Sequence, residues 1–141
     1  MILDTNGLSA VADGDAALEP ILRKAAEVAV PVIVLGEYRY GIQQSRDRQR
    51  YEQWLTETIC NYRVLDVDEE TANSYATIRT ELKRAGTPIP SNDVWIAALC
   101  RQHSFSLLSR DRRFDLVRGN RADRLVNLRN RINALVHPAH R

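Results

Sequence analysis

The chain has 141 residues, of which 44% are hydrophobic and 27% charged, and its formal net charge is +2. These values suit one domain with its own hydrophobic core, and they exclude wholesale disorder. No apolar run is long enough to span a membrane. Cys60 and Cys100 form no CxxC pair, and no signal peptide is visible, so we expect reduced thiols in a cytoplasmic protein.

The first half of the chain predicts strands that alternate with helices. Residues 1–3 are apolar and predict a strand that ends in a loop at 4–7. Apolar residues near helical spacing predict a helix over 15–28. The β-branched run 30–35 is typical of a strand buried on both faces, and a short helix is expected over 37–44.

The second half predicts the same alternation. We expect one helix over 48–59, a second from an Asp68 N-cap to about Ala85, and a third after a cap at Ser91 or Asn92. Strands are expected over 63–67, 105–109 and 124–128. This pattern favours an α/β fold: a three-layer α/β/α sandwich with a central, mainly parallel sheet of four to five strands. We assign the domain to residues 1–128 and a basic C-terminal tail to 129–141.

Positive charge is concentrated in the C-terminal third. From Arg101 onward the chain carries ten arginines against three aspartates. Guanidinium groups match phosphate oxygens and stack on bases, which suits a nucleic-acid surface. An equally open interpretation is a solvated, soluble face.

Three acidic residues follow predicted buried strands. Asp4, Glu37 and Asp111 each lie within two residues of the C-terminal end of such a strand. Ligands bind just beyond these ends in open α/β sheets, so carboxylates from distant parts of the sequence should converge on one edge of the sheet. Taken singly, Asp4 could be a turn residue, and Asp111 could be a loop charge paired with Arg112.

Asp93 is a fourth candidate. It lies in the first turn of an apolar helix that we expect to pack inward, although a favourable charge at a helix start is an alternative explanation. Four clustered carboxylates repel one another, and all-oxygen ligation of Mg²⁺ or Mn²⁺ removes that difficulty. No histidine or cysteine is comparably placed, which argues against zinc.

Four segments that carry these acids resemble the motifs of one protein family. They are MILDTN at 1–6, GEYRYGI at 36–42, NDVWIAA at 92–98 and LSRDRRF at 108–114. Their order and spacing, over residues 1 to about 117, are similar to those of the PIN-domain family and, within it, of the VapC-like toxins of bacterial toxin–antitoxin pairs. Each motif alone is weak evidence for this family, but the four together are strong evidence.

The resemblance implies a compact α/β/α sandwich and an Mg²⁺- or Mn²⁺-dependent endoribonuclease. It places the catalytic and metal-binding acids at Asp4, Glu37, Asp93 and Asp111, with Thr5, Asn6 and Ser109 as supporting polar residues. On this hypothesis Arg110, Arg112 and Arg113 bind the RNA backbone. Asp115, a second acid beside the last motif, either completes the site or lies outside it.

The resemblance also implies partners. These are an RNA substrate, a cognate antitoxin that inserts a segment along a groove, and a second copy of the chain in a homodimer. Tyr38 and Tyr40 flank Glu37 and are candidates for that groove or for base stacking. Trp54 and Trp95 lie on apolar helical stripes, which predicts core or interface positions.

Two other functions stay open. One is a non-catalytic module that binds RNA or a partner protein on the same fold, although all four acids are present. The other is a phosphatase of the haloacid-dehalogenase type, which also has an aspartate after the first strand. That chemistry needs a second carboxylate two residues later, where Asn6 stands.

Overall fold

A parallel five-stranded sheet forms the centre of the molecule. The computed structural model describes residues 1–117 and the backbone of Leu125–Asn127. The strands are β1 (Ile2–Leu3), β2 (Ala29–Pro31), β3 (Arg63–Leu65), β4 (Leu107–Ser109) and β5 (Leu125–Asn127). Their order is β3-β2-β1-β4-β5, and all neighbours pair in parallel. The predicted sheet, including its short last strand, is confirmed.

Helices cover this sheet. They are α1 (Thr5–Ala12), α2 (Glu19–Lys24), α3 (Val32–Gln43), α4 (Arg48–Ile59), α5 (Glu69–Arg84) and α6 (Ser91–His103), with a 3-10 helix, η1 (Arg112–Leu116). Helices α1, α3 and α4 contact one another, and α5 contacts α6. The predicted α/β/α sandwich is confirmed.

Helix α6 is buried on two sides. One side, which includes Ile96 and Leu99, joins the core formed with the sheet. The other, which includes Val94 and Ala97, packs with Ile78 of α5. The middle of the helix, residues 94–100, is apolar and almost wholly buried, so this part of α6 belongs in the interior. This packing fixes the start of α6, where the acidic residue of its first turn lies.

The predicted strand over 30–35 is wrong beyond Pro31. Strand β2 ends there, and α3 begins at Val32. Pro31 is the helix N-cap, with φ −60° and ψ 143°, an extended conformation from which the chain enters the helix. Val34 is fully buried in the core, so tertiary packing overrides the β propensity of the branched residues. Glu37 therefore lies in a helix, as predicted, but inside it and six residues after the strand end rather than within two residues of that end.

The predicted loop at 4–7 is also wrong. Asp4 caps α1 directly after β1, because its side chain accepts a hydrogen bond from the Gly7 N–H. The helix predicted over 15–28 is confined to α2. Pro20 stands in the first turn of that helix, and proline starts a helix more readily than it continues one.

Boundaries in the second half follow the prediction closely. Helices α4 and α5 have the expected ranges, and Asp68 caps α5 by accepting a hydrogen bond from the Thr71 N–H at 3.0 Å. Helix α6 is the exception, because Pro90 precedes it and no side chain caps it. The predicted cap at Ser91 or Asn92 is therefore wrong.

Some predictions fall outside the described residues. The tail 129–141 is one of them, and the domain boundary at 128 stays a prediction with it. Where the structure is described, Cys60 and Cys100 are free thiols. None of the helices in that part of the chain combines the length and the apolarity that a bilayer crossing requires.

Gly7 allows α1 to approach β4 closely. A Cβ at this position would lie 2.9 Å from the backbone oxygen of Leu108 and 3.3 Å from Oδ1 of Asp4. Because a backbone oxygen inside a sheet cannot move aside easily, Gly7→Ala should lower the free energy of unfolding by roughly 1–3 kcal/mol. Urea denaturation measures this loss.

Gly41→Ala is the matched control for that substitution. Gly41 lies within α3, and a Cβ there would meet nothing within 4 Å. Alanine in a helix interior is favoured over glycine by about 0.5–1 kcal/mol. The two variants should therefore shift stability in opposite directions, and equal losses would contradict the steric explanation.

Candidate active site

The four predicted acids line one cleft of about 560 Å³. Asp4 follows β1, Asp111 follows β4, and Glu37 and Asp93 reach the cleft from α3 and α6. Thr5 and Asn6, both predicted to support the site, also line it. The fold thus brings together side chains that the sequence separates by more than a hundred positions.

Asp4 is held at the floor of the cleft by two hydrogen bonds. It is only 4% exposed. Its Oδ1 accepts from the Gly7 N–H at 2.7 Å, and its Oδ2 accepts from the Ser109 hydroxyl. Ser109 Oγ also accepts from the Asp111 N–H at 2.9 Å. Ser109 therefore couples the residues that follow two neighbouring strands, which is a structural basis for its predicted supporting role.

Glu37 is oriented by partners from two other helices. Its Oε2 accepts from the Thr5 hydroxyl at 2.6 Å, and its Oε1 accepts from the Asn92 side-chain amide. The contact with Asn92 joins residues 55 positions apart. The sequence predicts Asn92 as a helix cap and as the first residue of the NDVWIAA motif, but its contact with Glu37 has no local signal.

An arginine lies between the remaining two acids. Arg113 Nε donates to Oδ1 and Oδ2 of Asp111 at 3.0 and 2.9 Å, and its Nη2 lies 2.5 Å from Oδ2. The same Nη2 lies 3.7 Å from Oδ2 of Asp93. The guanidinium of Arg113 thus links the loop that follows β4 to the first turn of α6.

The pKa values of the acids shift in different directions in this cleft. Burial raises the pKa of Asp4 to about 6, and the charges of Asp93 and Asp111 add to that rise. Burial also raises the pKa of Asp93, which Arg113 opposes, while Asp111 and Glu37 raise it further. Hydrogen bonds from Arg113 lower the pKa of Asp111. Since these carboxylates perturb one another, they form one electrostatic cluster.

The donor atoms of the cleft suit a hard divalent cation. Carboxylate oxygens are the ligands that Mg²⁺ and Mn²⁺ prefer. In the present arrangement, no three His, Cys, Asp or Glu side chains among the described residues are positioned to hold an ion. Both oxygens of Asp4, Glu37 and Asp111 accept hydrogen bonds from the protein. Each oxygen of Asp4 and Glu37 accepts one hydrogen bond and keeps a second lone pair, whereas each oxygen of Asp111 is contacted by two N–H donors of Arg113.

The other charged candidates lie apart from the cleft. Asp115 is exposed on η1 and is not among the residues that line the cleft. Arg110 pairs with Asp15 at 2.8 Å, and Arg112 is exposed. Of the three arginines predicted to bind RNA, Arg113 alone lines the acidic cleft.

The aromatic candidates divide between core and surface. Tyr38 is buried, and Trp54 meets its ring edge-on at a centroid distance of 6.0 Å. Trp95 stacks on Tyr75 at 4.0 Å. Tyr40 is 68% exposed. Tyr38 and Trp54 are therefore packing residues, whereas Tyr40 is accessible to a partner.

Asp4→Asn tests the effect of burial on the acidic cluster. Because the folded-state pKa of Asp4 is raised from 3.8 to about 6, its contribution to stability is complete below about pH 4 and is lost as pH rises through about 6. The metal-free variant should therefore be more stable than the parent at pH 8, by up to about 3 kcal/mol, and not at pH 4. Urea denaturation in EDTA measures both values.

Asp115→Asn provides the control, since it removes the same formal charge from an exposed position. Its stability should stay within about 0.5 kcal/mol of the parent at either pH. A loss of stability in Asp4→Asn at pH 8 would contradict the assigned cost of burying the Asp4 carboxylate.

Comparison with known proteins places this chain in a family. The ribonuclease VapC5 of Mycobacterium tuberculosis is 29% identical over 123 residues, 84% of this chain and 87% of the relative. The toxin FitB of Neisseria gonorrhoeae is 32% identical over 92 residues, 60% of this chain and 66% of the relative. The crystal structure of DNA-bound VapBC from Salmonella typhimurium matches with a TM-score of 0.78 and 25% identity, over 90% of this chain and 96% of that one. The PIN domain family model matches residues 1–120, and the chain belongs to the PIN-domain family.

Proposed function

We propose that this chain is the toxin of a toxin–antitoxin pair and a metal-dependent endoribonuclease that hydrolyses RNA phosphodiester bonds. The observation that carries the proposal is the convergence of Asp4, Glu37, Asp93 and Asp111 on one cleft. Membership of the PIN-domain family and relatives that are named ribonucleases support it.

The acids of the cleft would hold one or two Mg²⁺ or Mn²⁺ ions, directly or through water. Asp4, Asp93 and Asp111 are the main ligands in this proposal, with Glu37 as the fourth. A divalent ion bound there lowers the pKa of water and neutralises the charge that develops during phosphodiester cleavage. Cysteine and histidine are absent from the described lining of the cleft, which favours these hard cations over zinc.

The protein's own contribution is to position these carboxylates. Ser109 and the Gly7 N–H fix the orientation of Asp4, and Thr5 and Asn92 fix that of Glu37. Such hydrogen bonds prevent the side chains from rotating away from the cleft and make their oxygens available in a defined direction.

The partner in this proposal is a cognate antitoxin. Solved structures that resemble this chain include VapBC from Salmonella typhimurium bound to DNA and FitAB bound to a DNA fragment. The exposed Tyr40 on α3 is a candidate contact for the antitoxin segment. Cytoplasmic localisation and a homodimer are further parts of the proposal, and both rest on the family resemblance.

The two rival functions have less support. The phosphatase chemistry needs a second carboxylate two residues after the first, and the cleft has Asn6 at that place. A module that only binds RNA gains nothing from four carboxylates in one cleft, because carboxylates repel the phosphates of RNA. Turnover of a small phosphomonoester in Mg²⁺ would favour the phosphatase.

Asp4→Asn should abolish RNA cleavage. Loss of one carboxylate from the metal site is expected to reduce the rate by about a hundredfold or more. The assay is cleavage-site mapping on total cellular RNA in Mn²⁺ and again in EDTA. Asp115→Asn should cleave like the parent, because it lies outside the cleft. Cleavage by Asp4→Asn at the parent's rate, or RNA that the parent retains intact in Mn²⁺, would sink the proposal.

Asn92→Ala should slow cleavage by about ten- to a hundredfold, since it removes the amide that orients Glu37. The effect should depend on Glu37. In a Glu37→Gln background, Asn92→Ala should cause little further loss, which a double-mutant cycle of cleavage rates measures. Fully additive losses would mean that Asn92 acts independently of Glu37.

A further inference from the structure

One guanidinium lies among the proposed metal ligands. Among the described residues that line the cleft, Arg113 alone carries a positive charge. It binds Asp111 through Nε and Nη2, with distances between 2.5 and 3.0 Å, and its Nη2 lies 3.7 Å from Asp93. The guanidinium therefore meets two acids that come from separate elements of the fold.

We propose that Arg113 is a built-in counter-ion of the metal-free site. It holds Asp93 and Asp111 together, is displaced from them when a divalent ion binds, and then offers its guanidinium to an RNA phosphate. This inference rests on the proposed function, because it concerns the same metal site. It adds a competition between a side chain of the protein and the metal ion for the same oxygens.

The competition follows from the hydrogen bonds of Asp111. Both of its carboxylate oxygens accept from Arg113, so Asp111 cannot present a lone pair freely to an ion while the pair is intact. A guanidinium and a divalent ion also repel each other at contact distance. Arg113 and a divalent ion therefore compete for the oxygens of Asp111.

The side chain has room to leave. It lines the cleft, and its exposed fraction is 54%. The backbone beneath it is fixed, since the next residue, Phe114, is buried in the core. A displaced guanidinium would therefore stay near the cleft entrance, where a planar fork of donors matches phosphate oxygens.

The local fold does not depend on this side chain. Asp111 caps η1 by accepting from the backbone N–H of Arg113 at 2.9 Å, a bond that alanine at position 113 can also donate. Arg113→Ala is therefore expected to fold, and its effects can be assigned to the guanidinium.

The test is calorimetric titration of Mn²⁺ into the full chain after removal of metal with EDTA. Arg113→Ala should bind Mn²⁺ roughly tenfold more tightly than the parent, since a competing charge is removed. Arg112→Ala is the matched control for binding: it changes net charge equally but lies outside the cleft, and its Mn²⁺ affinity should stay within about twofold.

RNA cleavage by the same proteins provides the second measurement. Arg113→Ala should cleave roughly tenfold more slowly at saturating Mn²⁺, despite its tighter metal binding, because the phosphate contact is lost. Arg113→Lys keeps a charge without the fork, so its Mn²⁺ affinity and cleavage rate should both lie between those of the parent and the alanine variant.

Several outcomes would overturn the inference. Arg113→Ala could bind Mn²⁺ no more tightly than the parent, or Arg112→Ala could show the same gain, which would indicate a general charge effect. Either result would contradict the role of Arg113 without affecting the proposal that the chain is a ribonuclease. If the parent and Asp4→Asn bind Mn²⁺ equally weakly and neither cleaves RNA, the metal site itself is wrong, and the role of Arg113 falls with it.

Discussion

Repulsion among four carboxylates in one cleft is the constraint that the rest of the site satisfies. Like charges that line one cleft disfavour ionisation of one another unless donors or cations compensate for them. The fold supplies those donors from different elements: the Gly7 N–H, the hydroxyls of Thr5 and Ser109, the amide of Asn92 and the guanidinium of Arg113. The polar contacts around the cleft therefore stabilise a charge arrangement that the metal-free chain would otherwise disfavour.

The pKa values of two aspartates in the same cleft, Asp4 and Asp111, are shifted in opposite directions. Burial raises the pKa of Asp4 although hydrogen bonds from Ser109 and the Gly7 N–H oppose the rise, whereas hydrogen bonds from Arg113 lower the pKa of Asp111. Environments that separate the pKa values of neighbouring acids are typical of sites with divided roles. Asp111 keeps its charge and is paired with Arg113, while Asp4 ionises more easily when a cation is present. In the proposed site, metal binding is thereby coupled to deprotonation.

The sequence predicts the sheet and most helices because their signals are local. The apolar strand before Asp4 and the one before Asp111 are recognisable from a few residues, and both acids line the cleft. Glu37 also lies there, but for another reason: the β-branched residues after Pro31 form a helix because Val34 is buried in the core. Contacts across the fold, such as the one that joins Glu37 to a residue 55 positions away, have no local signal.

The start of α6 shows how a local rule and a functional site compete for the same residues. A polar residue at a helix start ordinarily satisfies free backbone N–H groups. Here Pro90 precedes the helix, no side chain caps it, and Asn92 donates to Glu37 while Asp93 faces Arg113. The burial of α6 against both the sheet and α5 compensates for the missing cap, since most helix stability in proteins comes from packing. Because packing stabilises the helix, the polar residues of its first turn can contact the acidic cleft instead of capping the helix.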